Sequence, residues 1–330
     1  FSGWPIQHGT DGEDKANAVT TDSSGNVYVA GFTEGPLNGN TSSGSQDFFL
    51  IKYNTDGETL WTRQVGSSQG EKAKAVAVDL SGHVFITGST DGDLNGNTSM
   101  GRSDIFLAKY DSEGNKKWIR QFGSTEEDSA IGIDTDPSGN VYLTGDTRGD
   151  LDGEINSSNG DVFVSKYNTD GIKQWTKLIG TGTDDGAGGI AIHSSGDIYV
   201  TGFTGGELDG NSTLGNKDVF LIKYNTDGVK QWTKQVGSSR YDQANGVAVD
   251  PSGNILVTGY TQGQFGGSGI SGGSDDVFVA KFDSSGTELW NKQLGTAERE
   301  EALGIASDPS GNIYLAGFTW GGFANNSNAG

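Results

Sequence analysis

The sequence predicts an all-β fold, a β-propeller of six blades with four antiparallel strands each. Three observations carry this. Tryptophans stand at Trp4, Trp61, Trp118, Trp175, Trp232 and Trp290, with steps of 57, 57, 57, 57 and 58. Ser-Gly pairs at Ser24-Gly25, Ser81-Gly82, Ser138-Gly139, Ser195-Gly196, Ser252-Gly253 and Ser310-Gly311 keep the same steps. No window sustains helical periodicity over three turns, so almost no helix is expected. A fixed period of this length marks a repeat architecture.

One repeat justifies the elements in order. Ala16 to Thr21 is a strand of small residues, ended by the turn Asp22-Ser-Ser-Gly-Asn26. Val27 to Thr33 is the second strand, and the loop Glu34 to Gln46 leads to a third, Asp47 to Tyr53. The turn Asn54-Thr-Asp-Gly57 then gives a fourth strand around Trp61. Short strands, tight turns and one longer loop make a four-stranded blade. In the order A to D, the small-residue strand suits the narrow inner position and the Trp strand the rim. The A–B and C–D turns then share one face. The B–C and D–A loops share the other, the face expected to carry function.

Later A strands lie near 73–78, 130–135, 187–192, 244–249 and 302–307. Residues 1–9 read as a lone D strand that completes the last blade, making 1–330 a single domain. The last B strand, ending at Thr319, is followed by an Asn-rich tail, Phe323 to Gly330, too polar to serve as a C strand. Such a strand is expected either to follow in a longer native chain or to come from another molecule, a route to a larger assembly. The chain opens on Phe1, as a mature or trimmed product would.

Composition bounds the function. Apolar residues make up 32% and glycines number 55, but the glycines recur at turn positions, so they signal turn chemistry and not disorder. A formal charge of −21 argues against nucleic acid and anionic membranes. It suits divalent cations, basic partners or solubility in a salty medium. The absence of cysteine rules out disulfides, Cys-ligated zinc and thiol catalysis. No run of 18 apolar residues is present, so no membrane insertion is expected.

The repeated wording includes Gly-x-Thr-x-Gly-x-Leu-x-Gly-Asn, Asp-x-Phe-Leu-x-Lys-Tyr, Trp-Thr-x-Gln and Ala-Val-Asp-x-Ser-Gly-Asn-Val-Tyr-Val-Thr-Gly. Across all six units it resembles the bacterial SBBP β-propeller repeat family. That resemblance implies a propeller and an extracellular or cell-surface location. The family name also implies seven blades, so part of a seven-bladed propeller is the alternative. The Asp-Pro-Ser-Gly-Asn turn looks like the turn of NHL and related six-bladed propellers.

Two acidic registers recur. One opens strand A, at Asp14, Glu71, Asp128, Asp185, Asp242 and Glu300; the other opens strand C, at Asp47, Asp104, Asp161, Asp218 and Asp276. The first reads either as a ring that collects cations or as strand-end acceptors of backbone N–H groups. The B–C loop from Asp150 to Asp161 spaces Asp150, Asp152, Glu154, Asn156 and Asp161 as calcium ligands are spaced. Asp93, Asn95 and Asp104, with Asp209 and Asp218, are softer versions. Ile155, where an EF-hand loop needs Gly, weakens the match.

His8, His83 and His193 fall in different turns and cannot converge on a metal or a general-base site. Lys52, Lys109, Lys166, Lys223 and Lys281 recur in the C strands and are expected to form interblade ion pairs. Arg240, Tyr241, Phe265, Trp320 and Phe323 break the register in loops of the last blades, as a sugar- or peptide-recognising patch would. The expected function is non-enzymatic: a secreted or surface propeller for structure, adhesion or binding of protein or glycan, with Ca2+ as the one possible cofactor. A lectin-like propeller is the alternative, and a calcium-dependent hydrolase or lyase the enzyme-class rival.

Overall fold

The computed structural model describes residues 6–157, 160–267 and 274–322. The first sheet comprises β1 (Asp14–Thr21), β2 (Val27–Thr33), β3 (Asp47–Tyr53) and β4 (Thr59–Val65). The second comprises β5 (Glu71–Val78), β6 (Val84–Thr90), β7 (Asp104–Tyr110) and β8 (Lys116–Phe122). The third is β9 (Asp128–Thr135), β10 (Val141–Thr147), β11 (Asp161–Tyr167) and β12 (Lys173–Ile179). The fourth is β13 (Asp185–Ile192), β14 (Ile198–Thr204), β15 (Asp218–Tyr224) and β16 (Lys230–Val236). The fifth is β17 (Asp242–Val249), β18 (Ile255–Thr261), β19 (Asp276–Phe282) and β20 (Glu288–Leu294). Last comes the pair β21 (Glu300–Ser307) and β22 (Ile313–Thr319). Each four-stranded sheet has the expected A-B-C-D order. Helix is confined to single 3-10 turns, and no helix among the described residues is long and apolar enough to cross a membrane.

The chain divides into two compact units, Phe1–Asn156 with Phe163–Thr176, and Ser157–Val162 with Lys177–Gly330. In the first unit β5 packs on β1 and β2, and β9 on β5 and β6. In the second, β17 packs on β13 and β14, and β21 on β17 and β18.

Local chemistry explains the sheets. In the A–B turn Asp22 Oδ1 accepts the Ser24 and Asn26 N–H groups at 3.0 and 2.9 Å, and Gly25 takes φ +81°, which L side chains rarely adopt. The A strands carry a one-residue bulge, between Ala16 and Ala18 in β1. The facing Gly31 lies so close to the Lys15 carbonyl that a Cβ would overlap it. Consecutive A strands also approach tightly within each unit. Asn17 Nδ2 donates to the Ala73 carbonyl at 2.8 Å, and Asn245 Nδ2 to that of Ala302 at 2.9 Å. Small residues there follow from this spacing.

Contacts of the D strands account for the tryptophan period. Trp61 Nε1 donates to the Ser112 carbonyl at 3.1 Å, and Arg63 Nε to that of Gly114 at 2.6 Å, so strand D of the first sheet rests on the C–D turn of the second. Trp118 sits over Gly171 in the same way, and Trp232 Nε1 reaches the Ser284 carbonyl at 3.3 Å. Between the sheets lie apolar clusters, such as Tyr28, Phe48, Leu50, Ile86, Phe106 and Tyr110. Each such side chain contributes about 1.5–3 kcal/mol on burial.

The expected strand over residues 1–9 falls partly outside the described residues, as do Trp4 and the tail from Phe323. Residues 6–9 form no strand. Ile6 packs against Leu37, Phe49, Ile51 and Tyr53 of the first unit, and His8 Nδ1 lies 3.2 Å from Asn38 Oδ1.

Candidate functional site

The two acidic registers turn out to be one construction used at two corners of the repeat. In the strand-A register each acid accepts the backbone N–H four residues upstream: Thr10 to Asp14, Ser67 to Glu71, Ser124 to Asp128, Thr181 to Asp185, Ser238 to Asp242 and Thr296 to Glu300, at 2.5–2.7 Å. The upstream hydroxyls donate as well, as Ser67 Oγ does to Glu71 Oε1 at 2.6 Å. In the strand-C register Ser43, Met100, Ser157 and Leu214 N–H groups donate to Asp47, Asp104, Asp161 and Asp218 at 2.8–2.9 Å. Glu71, Asp128, Asp185, Asp242 and Glu300 are buried, and Asp14 is half-buried. Of the two readings of these acids, the geometry is that of strand-end acceptors: they are turned onto their own corners and accept N–H donors.

The strand-C acid has a further partner that the sequence did not single out. Gln121 Nε2 donates to Asp104 Oδ2 at 2.8 Å and to the Gly92 carbonyl at 2.9 Å, while its Oε1 accepts the Leu94 N–H at 2.9 Å. Gln64, Gln235 and Gln293 repeat the clamp on Asp47, Asp218 and Asp276. The motif Trp-Thr-x-Gln was the available signal. In the third sheet Leu178 stands at this position.

Successive corners bring the two registers together in pairs. A Cβ on Gly66 would strike Asp47 and come within 3.0 Å of Glu71; on Gly237 it would meet Asp242 at 2.7 Å and Asp218 at 3.0 Å. Asp104 with Asp128 is the same arrangement around Gly123. Burial, reinforced by the neighbouring carboxylate of Asp104, Asp161 or Asp218, pushes the Asp128, Asp185 and Asp242 carboxyls above their ordinary value, against the hydrogen bonds that lower them. Oδ1 of Asp47, Asp104, Asp128 and Asp242 is buried without a hydrogen-bond partner.

The B–C loops do not assemble the expected calcium ligands into one cage. Asp152, at φ +57°, turns to the Lys173 ammonium and accepts the Thr176 hydroxyl at 2.6 Å. Asn95 and Asp209 occupy the same left-handed position, φ +54° and +52°, and meet Lys116 and Lys230, each at 2.5 Å. Asp93 and Asp150 accept the Ser99 and Asn156 N–H groups at 2.7 and 2.9 Å. Asp161 holds Ser157 of the same loop, and Glu154 N–H closes a turn onto the Leu151 carbonyl. Among the described residues no group of three or more His, Asp or Glu side chains converges to hold a metal.

The aromatic patch loses Phe265 to the core, and Phe323 lies outside the described residues. Phe265 is corrected to a core residue: it is 1% exposed and stacks on Phe278 at 4.0 Å, in the place of the buried Leu37 and Leu94 of earlier loops. Tyr241 and Trp320 are exposed, at 41% and 60%, and Arg240 is exposed beside Tyr241. The Arg299 guanidinium lies 5.5 Å from the Trp320 ring.

The C-strand lysines are corrected in part. Lys52, Lys223 and Lys281 pair with Asp22, Asp197 and Asp250 of their own sheets, at 3.8, 2.9 and 2.7 Å. The link to the next sheet runs instead to a carbonyl, from Lys52 to Ser112 at 3.1 Å. In the fourth sheet His193 replaces the turn aspartate, and Asp197 supplies the charge four residues later. There Ser195 Oγ sits between His193 Nδ1 (2.7 Å) and Asp197 (3.0 Å), so the imidazole is not the bridging group that a nucleophile–base–acid triad requires.

A family model for the beta-propeller repeat SBBP matches residues 6–38, 60–95, 117–152 and 231–266. The chain is 25% identical to the uncharacterized WD repeat-containing protein L264 of Acanthamoeba polyphaga mimivirus, over 96% of this chain and 31% of that protein. It spans about a third of the length of the curated relatives it matches. Among solved structures, hydrazine synthase of Kuenenia stuttgartiensis is similar with a TM-score of 0.54 and 12% identity, over 94% of this chain and 76% of that one. The Pan2 WD40 domain of Neurospora crassa is similar with a TM-score of 0.50 and 10% identity, over 91% and 85%. These structural likenesses concern the fold alone.

Proposed function

Because the chain carries SBBP beta-propeller repeats, we propose that it is a binding or structural module and not an enzyme. One observation carries this reading: the acids that recur in every repeat are committed to holding corners together. Glu71, Asp104, Asp128 and Asp242 are all fully buried and accept backbone N–H groups, the wrong exposure for acids that meet a substrate. What varies between repeats is the exposed lining of the B–C and D–A loops, including Arg240, Tyr241 and Trp320. We assign partner recognition to those loops, with a protein as the first choice. A glycan is the second, favoured by the exposed rings of Trp320 and Tyr241. The repeat family implied by the sequence wording supports a location outside the cell or on its surface.

The test pairs two screens on the full chain. Ester, lactone and glycoside turnover is measured with and without calcium, and binding to glycan arrays and immobilised surface proteins is measured alongside. Saturable binding without turnover, weakened by Tyr241→Ala or Trp320→Ala, is the expected result. Turnover above buffer that disappears in a variant of a single acidic residue would overturn the reading.

A further inference from the structure

We propose that a polar pocket between the second and third sheets binds a small zwitterion, a free α-amino acid or a dipeptide. Its residues all belong to the first unit, and it does not rest on the roles given above to Arg240, Tyr241 and Trp320. The pocket has a volume of about 530 Å3, within the range of ~300–1,000 Å3 that small-molecule sites occupy.

Two departures from the repeat open it. At the sixth position of strand B the other sheets carry rings, Phe32, Phe203, Tyr260 and Phe318, each opposite the second residue of strand A. The second and third sheets carry Ser89 and Asp146 instead, short side chains that leave the space a ring would fill. Phe32 and Phe203 show the ordinary filling: each ring lies beneath an ammonium, that of Lys72 at 5.4 Å and that of Lys217 at 3.9 Å. The other departure is Lys74, at the bulge of its A strand, where Asn17 and Asn245 stand in the first and fifth sheets. Those asparagines donate to a carbonyl of the next sheet, whereas Lys74 Nζ reaches Ser129 Oγ at 2.7 Å.

Both signs of charge line the pocket at two levels. Lys74 and Asp146 are half-buried and form its floor. Burial pushes the Lys74 ammonium below its ordinary value; the Asp146 charge opposes this and Lys72 adds to it. A ligand carboxylate beside that ammonium would offset its desolvation. Asp91, Arg102, Glu127 and Arg148 are exposed at the mouth. Arg148 pairs there with Glu127 at 2.6 Å. The Arg102 guanidinium stands 4.0 Å from Glu126, beyond hydrogen-bond reach, and among the described residues the Asp91 carboxylate meets no donor.

These charges select the ligand. A plain anion would face Asp91 and Asp146, and a plain cation would face Lys74 and Arg102, so like charges disfavour either. A molecule with carboxylate and ammonium a few atoms apart answers both. No aromatic side chain is among the described residues that line the space, so a sugar finds no ring to stack on.

The test is calorimetric titration of the full chain with each common L-amino acid and with glycylglycine. Saturable one-to-one binding of at least one is expected. Its N-acetyl and α-amide derivatives, each lacking one charge, should bind at least about tenfold more weakly. Asp146→Phe supplies the ring of the sister sheets, so it should fold and abolish the binding. Lys74→Asn supplies the residue of the first and fifth sheets; it should melt near the parent and bind at least about tenfold more weakly. Tyr241→Ala should bind as the parent does. No binder in the panel, equal binding of a singly charged derivative, or either pocket variant binding like the parent would each overturn the proposal.

Discussion

Asp104 and Asp128 share one buried corner: a Cβ on Gly123 would meet Oδ1 of the first at 2.5 Å and Oδ2 of the second at 2.9 Å. The acids come from different sheets, at the start of β7 and of β9. Their contact makes the glycine, the two carboxylates and the inter-sheet joint a single unit. Two buried like charges disfavour full ionisation, so the joint has a pH dependence of its own.

The Asp128 carboxyl is raised, through burial first and then the neighbouring Asp104 carboxylate. A group raised on folding contributes stability below its unfolded value, and that contribution is lost as pH rises through the folded value. Asp128→Asn should therefore equal the parent at about pH 3 and match or exceed it by about 1 kcal/mol at neutral pH. Urea melts at the two pH values check this. A neutral-pH loss above about 2 kcal/mol would show that the carboxylate charge is needed for its N–H donors.

Gly123→Ala should destabilise by about 2–4 kcal/mol, because the new methyl has no room between the acids. Gly182→Ala is the control, since its Cβ would meet nothing within 4 Å. Thermal melts that rank the two variants equally would remove the steric explanation for the corner glycine.

Asp250 behaves in the opposite sense. Burial would raise it, but the Lys281 ammonium, Asn254 and the Ser252 N–H outweigh that and hold the carboxyl at about 2. Its contribution is present above the usual carboxylate range and disappears as pH falls toward about 2. Asp250→Asn should cost about 1–2 kcal/mol at neutral pH, with the difference closing in acid. A cost that persists unchanged below pH 2 would place the effect in turn geometry and not in charge.

Calcium should raise the melting temperature of the parent chain by less than about 2 °C, since Lys173 already occupies Asp152. Lys173→Gln frees that carboxylate. A calcium response that appears only in this variant would identify the ammonium as the cation's substitute, and a large response in the parent would restore the loop as a calcium site.

Strand order and turn chemistry were legible because the repeats state them again: Ser-Gly at one turn, and at the other Asn-Thr-Asp-Gly or its Asp-Ser-x-Gly variant. Phe265 reads from the sequence alone as a surface ring, although it stands in register with Leu37 and Leu94, which the fold buries. The acids were seen as two separate series because periodicity gives recurrence and not proximity. Only the folded corner shows that Asp104 meets Asp128. Oxygens spaced along the 150–161 loop resembled a cation cage, since left-handed Asx positions and N–H-accepting carboxylates produce similar spacing.

The seat of Trp61 on the turn at Ser112, like those of Trp118 at Gly171 and Trp232 at Ser284, points one way along the chain, from a repeat to its successor. An array joined by such forward contacts can be copied at any junction, because a duplicated unit brings both the ring it needs and the turn its predecessor needs. The near-constant 57-residue step is what growth by unit duplication would leave behind.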